Sequence, residues 1–194
     1  MNQAIPTRDV KAQILDTAQR IMGHKGFSAV GLNEVLKAAG VPKGSFYHYF
    51  GSKEAFGVAL LERYFRDYLV NLNALLDQPG GSSVSKVLAY FQQWLAQHDS
   101  DDRCLVVKLG AEVSDLSAAM RDVLAQGTAQ VVARLARNLE LAQIEGSLPA
   151  QAQPEALAAS LYQLWLGAAM LAKLQQNAAP LQAAMTTTRQ LLGQ

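Results

Sequence analysis

Val41-Pro42-Lys43-Gly44-Ser45-Phe46-Tyr47-His48-Tyr49-Phe50-Gly51-Ser52-Lys53 joins a turn, a short aromatic helix and a cationic helix start in one compact run. Upstream of it, Leu32 to Ala39 reads as an apolar-periodic helix that stops at Gly40, since glycine takes the left-handed C-cap conformation without strain. Pro42 forbids immediate continuation. Lys43, Gly44, Ser45, Tyr47 and His48 offer cationic, backbone and hydroxyl donors. Phe46, Tyr49 and Phe50 supply apolar faces that bury a helix of one to two turns. A short second helix with a polar start is what a helix-turn-helix lays in a DNA major groove.

Charge is distributed to match. The 194-residue chain carries a formal net charge of only +1. Within residues 1–53, however, Arg8, Lys11, Arg20, Lys25, Lys37, Lys43 and Lys53 face only Asp9, Asp16 and Glu34, while residues 54–194 hold an acidic excess. The cations sit where phosphates would be met. Half the residues are apolar, enough for a small DNA-binding domain at 1–53 and a larger helical domain at 54–194.

The N-terminal residues mix polar, charged and proline side chains, and the apolar stretches read as interrupted short of a membrane span, so a cytoplasmic protein without membrane contact is expected. The single cysteine, Cys104, excludes an intrachain disulfide and cysteine-rich zinc sites. His24, His48 and His98 lack metal-ligand spacing, so neither metal nor cofactor is expected. Glu112 and Asp115 have no His or Ser partner that would make a catalytic pair, and no phosphate-binding glycine loop occurs. Nothing points to an enzyme.

Apolar residues recur at three and four residues, as in Val10-Ile14-Ala18-Ile21, and sustained alternation is missing. The pattern predicts an all-α chain with helices near 7–24, 31–38, 44–50, 53–77, 83–97, 104–113, 117–145, 154–176 and 178–192. Pro79-Gly80-Gly81-Ser82-Ser83, residues 98–102 and Gly146-Ser147-Leu148-Pro149 punctuate it, and Pro154 and Pro180 suit first helical turns. The helix at 53–77 would be shared by the two domains as a lever. The last two helices, with Leu157, Leu161, Leu181, Met185 and Leu192, are expected to pair with a second copy as a four-helix bundle.

The residues also carry a resemblance. Ile14-Leu15-Asp16-Thr17-Ala18, Gly26-Phe27, Glu34-Val35, Ala39-Gly40-Val41, Gly44 to Phe50 and Ser52-Lys53-Glu54 resemble the signature of the TetR/AcrR family of one-component transcriptional regulators, strongly over about the first sixty residues. Pro42 to Phe50, Ser52-Lys53-Glu54-Ala55-Phe56-Gly57 and Cys104-Leu105-Val106-Val107-Lys108-Leu109 look like the subgroup that contains the N-ethylmaleimide-reductase repressor. The resemblance implies a homodimer on a palindromic double-stranded DNA operator and a small-molecule inducer. For the subgroup it implies sensing of reactive electrophiles. A departure from the family pattern is Val30-Gly31 at the start of the second helix, where many members have a Thr or Ser that caps the helix and touches a phosphate.

Thr7, Lys25, Tyr47, His48 and Lys53 are the phosphate candidates, and Lys43 and Ser45 the base-edge candidates, with Gly44 allowing close approach. Cys104 is expected to begin a helix, whose partial positive charge favours a thiolate. Arg103 and Lys108 favour it too, and Asp99, Asp101 and Asp102 oppose it. The other reading of Cys104 is an inert packing residue. Lys173 ends a helix that is apolar nearly all round; it either snorkels to solvent or supports chemistry at the cysteine. Tyr68, Tyr90, Trp94, Tyr162, Trp165 and Met170 are candidates for an apolar ligand pocket, and read otherwise as core. The readings these residues leave are a repressor released by electrophiles, one induced by a noncovalent apolar ligand, and a helical ligand-binding protein with a vestigial helix-turn-helix.

Overall fold

The computed structural model describes residues 9–97 and 104–194; Thr7, residues 98–103 with their aspartates and Arg103, and the side chain of Ser45 lie outside the described residues. Among the described residues the chain is all-α: α1 (Val10–Lys25), α2 (Leu32–Ala39), α3 (Lys43–Tyr49), α4 (Lys53–Leu76), α5 (Ser83–Ala96), α6 (Leu105–Leu116), α7 (Ala118–Ile144), α8 (Pro154–Gln175) and α9 (Ala179–Leu191). The capping residues explain the two ends that depart most from the sequence reading. Asp9 accepts the Ala12 N–H at 3.1 Å and starts α1 there. Helix α6 runs on to Leu116 because its stop signal is Ser117, whose hydroxyl accepts the Met120 N–H at 3.2 Å and opens α7. Gly40 closes α2 at φ 66°, the left-handed cap its type allows.

The described residues divide between two compact units, one within Met1–Tyr64 and Asp101–Leu124, the other within Phe65–Ser100 and Ala125–Gln194. The first is built on Phe46, Phe50 and Phe56, whose ring centroids lie 5.0–5.4 Å apart. All three are buried, each contributing about 1.5–3 kcal/mol by leaving water. They fasten the short α3 to the start of α4. Around them Ile14, Ala18 and Met22 of α1 and Val35 and Leu36 of α2 are buried at helical spacing. Helix α6 joins this unit by packing on α1 with Leu105, Leu109 and Val113 inward.

In the second unit α8 packs along α9, and α5 packs on α9. Phe91 stacks on Trp165 with centroids 4.9 Å apart, and the Trp165 indole N–H donates to Thr188 Oγ1 at 2.8 Å, so the polar end of this fully buried ring is satisfied. Gly127, in the middle of α7, lies against the Phe65 ring so closely that an added methyl would collide with it. Two sequence expectations are corrected here. Helix α8 is 22 residues long with a window of mean hydropathy 1.3, so by length and composition it does reach a membrane span; Leu161, Tyr162, Trp165, Ala168 and Ala172 are nonetheless buried in protein. Leu161, Leu181, Met185 and Leu192 are likewise buried within the chain. The large apolar side chains left exposed on α8 and α9 are Met170, Leu171, Leu174 and Leu191.

Candidate nucleic-acid interface and sensing helix

Helix α3 turns its aromatic face inward and its polar start outward. Phe46 and Phe50 are buried, whereas Lys43, Gly44, Tyr47 and His48 are exposed, Tyr47 with 62% of its surface free despite its ring. An exposed tyrosine beside exposed histidine and lysine suits phosphate and base-edge contacts. Lys25 is also exposed, but its amine pairs with Glu34 at 2.6 Å. Lys53 is half-buried: its Nζ donates to the Val30 carbonyl at 3.1 Å and lies 5.0 Å from the Phe27 ring centre.

Gly31, the N-cap of α2, makes no side-chain cap hydrogen bond, as its type dictates. The turn leading into α2 is held from outside instead. Lys53 takes the Val30 carbonyl, and the Glu112 carboxylate of α6 accepts the N–H groups of Phe27 at 3.0 Å and Ser28 at 2.6 Å. Burial alone would raise the Glu112 pKa; hydrogen bonds from the Ser28 hydroxyl and the Ser28 and Phe27 N–H groups, with the Lys108 charge, outweigh it and hold it below the ordinary glutamate range. Gly26 makes room, with φ 95° and a site where a Cβ would stand 3.1 Å from Glu112 Oε2. No local pattern in the sequence marks Glu112, because its partners lie 84 and 85 residues away.

Cys104 is the N-cap of α6 and is half-buried, with the Tyr64 hydroxyl donating to its Sγ at 3.6 Å. Lys108 follows one turn along and Glu112 one turn further, so Cys104, Lys108 and Glu112 share a face of α6. Lys173 belongs to the second unit, half-buried near the end of α8. Of the proposed pocket residues, Tyr68 and Tyr90 join hydroxyls at 2.6 Å, the Trp94 indole donates to Tyr68 at 3.3 Å, and Trp94 meets Tyr162 and Trp165 edge-on. Met170 stands apart on the exposed side of α8. No group of three or more His, Cys, Asp or Glu suited to a metal occurs among the described residues.

Comparison with known proteins agrees with this arrangement over most of the chain. Residues 14–60 match the family "Bacterial regulatory proteins, tetR family", and residues 80–188 match "Tetracyclin repressor-like, C-terminal domain". The chain belongs to the TetR family of regulatory proteins and is a DNA-binding transcriptional repressor rather than an enzyme. It is 42% identical over 187 residues to the HTH-type transcriptional repressor NemR of Escherichia coli strain K12, spanning 95% of this chain and 94% of that protein. It is 40% identical over 163 residues to the transcriptional regulator AcuR of Cereibacter sphaeroides, spanning 81% and 73% respectively. The crystal structure of E. coli NemR in its reduced form superposes with a TM-score of 0.89 at 43% identity, covering 95% of this chain and 97% of that one.

Proposed function

We propose that this repressor leaves its operator when an electrophile adds to Cys104. The observation that carries the reading is the setting of the sulfur: a helix N-cap with a hydroxyl donor at 3.6 Å, both of which favour negative charge on it. Support comes also from the likeness to NemR, a repressor solved in a form described as reduced. Towards an activated alkene, the thiolate forms an S–C bond as the C=C π bond breaks, and the neighbouring carbon takes a proton from solvent. The adduct adds bulk beside Leu105 and Tyr64, which are buried in packing that tolerates little added volume. A hundredfold loss of operator affinity requires the adduct to favour the non-binding geometry by about 3 kcal/mol.

DNA is met by α3, with Lys43 and Ser45 at base edges and Tyr47, His48, Lys25 and Lys53 near phosphates. The repressor works as a homodimer on a palindromic operator. Met170, Leu171, Leu174 and Leu191 form its apolar face, Leu174 with 71% of its surface open to water in the single chain. A second reading, a noncovalent apolar inducer, draws on the aromatic cluster of Tyr68, Tyr90 and Trp94.

The deciding experiment is operator release by N-ethylmaleimide. Cys104→Ser is expected to bind operator as the parent does and to stay bound. Equal release of both proteins by the reagent would sink the cysteine reading and favour the noncovalent one.

A further inference from the structure

The helix-turn-helix of this chain lacks its own cap at the entry to α2, and the turn before that entry is gripped by one carboxylate from α6. Gly31 offers no side chain to the free N–H groups at the start of α2. Glu112 accepts the two preceding donors, Phe27 N–H and Ser28 N–H, at 3.0 and 2.6 Å. Charge-assisted hydrogen bonds of this kind are about twice as strong as neutral ones. The glycine at position 26 leaves the space the carboxylate needs. Along α6, Glu112 stands two turns from Cys104, about 12 Å at 1.5 Å per residue, with Lys108 between them on the same face.

We propose that Glu112 is a positioning residue for DNA binding: its grip on the turn between α1 and α2 holds the helix-turn-helix in its operator-binding placement and passes on any shift of α6. The second half of that statement rests on Cys104 being the sensor. The grip is mechanical rather than electrostatic towards DNA. A negative charge near a DNA-binding surface opposes phosphate binding, so on charge alone Glu112→Gln tightens the complex. As a latch it does the reverse, because the amide keeps one acceptor and turns an N–H group towards an N–H group. Glu112→Ala loses both acceptors.

The test measures operator affinity and its salt dependence for the full-length parent, Glu112→Gln and Glu112→Ala, with helical circular dichroism and melting recorded alongside. The expected result is binding weakened about tenfold in Glu112→Gln, about 1.4 kcal/mol, and further in Glu112→Ala, with the parent's salt slope and helical content. Should Glu112→Ala fail to fold, Glu112→Gln decides. Operator affinity equal to or tighter than the parent's in Glu112→Gln overturns the proposal. Passage of the signal is read by alkylating Cys104 with N-ethylmaleimide, verified by mass. The adduct is expected to lower affinity by a smaller factor in Glu112→Gln than in the parent, and the same factor in both overturns that half. If verified alkylation leaves the parent's affinity unchanged, the sensor reading fails, and the latch still stands or falls on the affinity of Glu112→Gln.

Discussion

The amine of Lys53 donates to the carbonyl oxygen of Val30 at 3.1 Å while lying 5.0 Å from the centre of the Phe27 ring. One cation thereby ties the start of α4 to the turn before α2. Lys53→Ala is expected to weaken binding to operator and random DNA alike and to reduce the salt slope, as the loss of a sequence-independent contact does. Undiminished affinity for random DNA would confine Lys53 to its role in the turn.

Lys43 opens α3 and is exposed. Lys43→Ala is expected to lower operator affinity more than random-DNA affinity, because a base-edge contact is worth about 1–3 kcal/mol of discrimination. Equal losses on both, measured at one salt concentration, would show a phosphate contact instead.

Two mid-helix glycines should respond with opposite signs. At Gly127 an added methyl meets the buried Phe65 ring, so Gly127→Ala is expected to destabilise by about 1–3 kcal/mol. At Gly110 nothing among the described residues stands within 4 Å of the added atom. Gly110→Ala is therefore expected to stabilise by up to about 1 kcal/mol through helix propensity. Urea denaturation at fixed protein concentration measures both.

Thr188→Val removes the acceptor of the buried Trp165 N–H. With both residues wholly enclosed, no water replaces it, and a loss of about 1–3 kcal/mol is expected. A change within experimental error would mean that the indole finds another acceptor.

Glu112 has a depressed pKa in the folded chain. Its contribution to stability is therefore complete above the unfolded glutamate pKa and lost as pH falls through the folded one. The stability difference between the parent and Glu112→Gln should shrink on acidification through that range. A constant difference would show that the charge is not what the turn binds.

Most helices are legible in the sequence because their ends are written locally: Ser52, Ser82, Gly40 and Pro154 each act within four residues of their own position. The sequence pattern ends α6 three residues early: the Ser114 hydroxyl donates back to the Gly110 carbonyl within the helix, and it is Ser117 that caps the start of α7. The inward side of α8 is not legible. A helix apolar nearly all round has no periodicity to tell Leu161, which is buried, from Leu174, which is exposed. Nor does sequence separate the tasks of Lys53, whose carbonyl partner lies 23 residues upstream. Glu112 stands out in the sequence only as an acid without a catalytic partner, because carboxylate-to-backbone contacts leave no side-chain pattern to read.

The bond between Phe27 and Glu112 spans 85 residues. A ribosome adding about 5–20 residues per second delivers the turn roughly 4 to 17 seconds before the carboxylate that fastens it. In the later part of that interval, once Phe56 has been added, the nascent helix-turn-helix has its aromatic residues but an unfastened turn. On the proposed role of Glu112, a growing chain reaches its full grip on DNA only once α6 has left the ribosome, so a product truncated before α6 competes poorly for the operator.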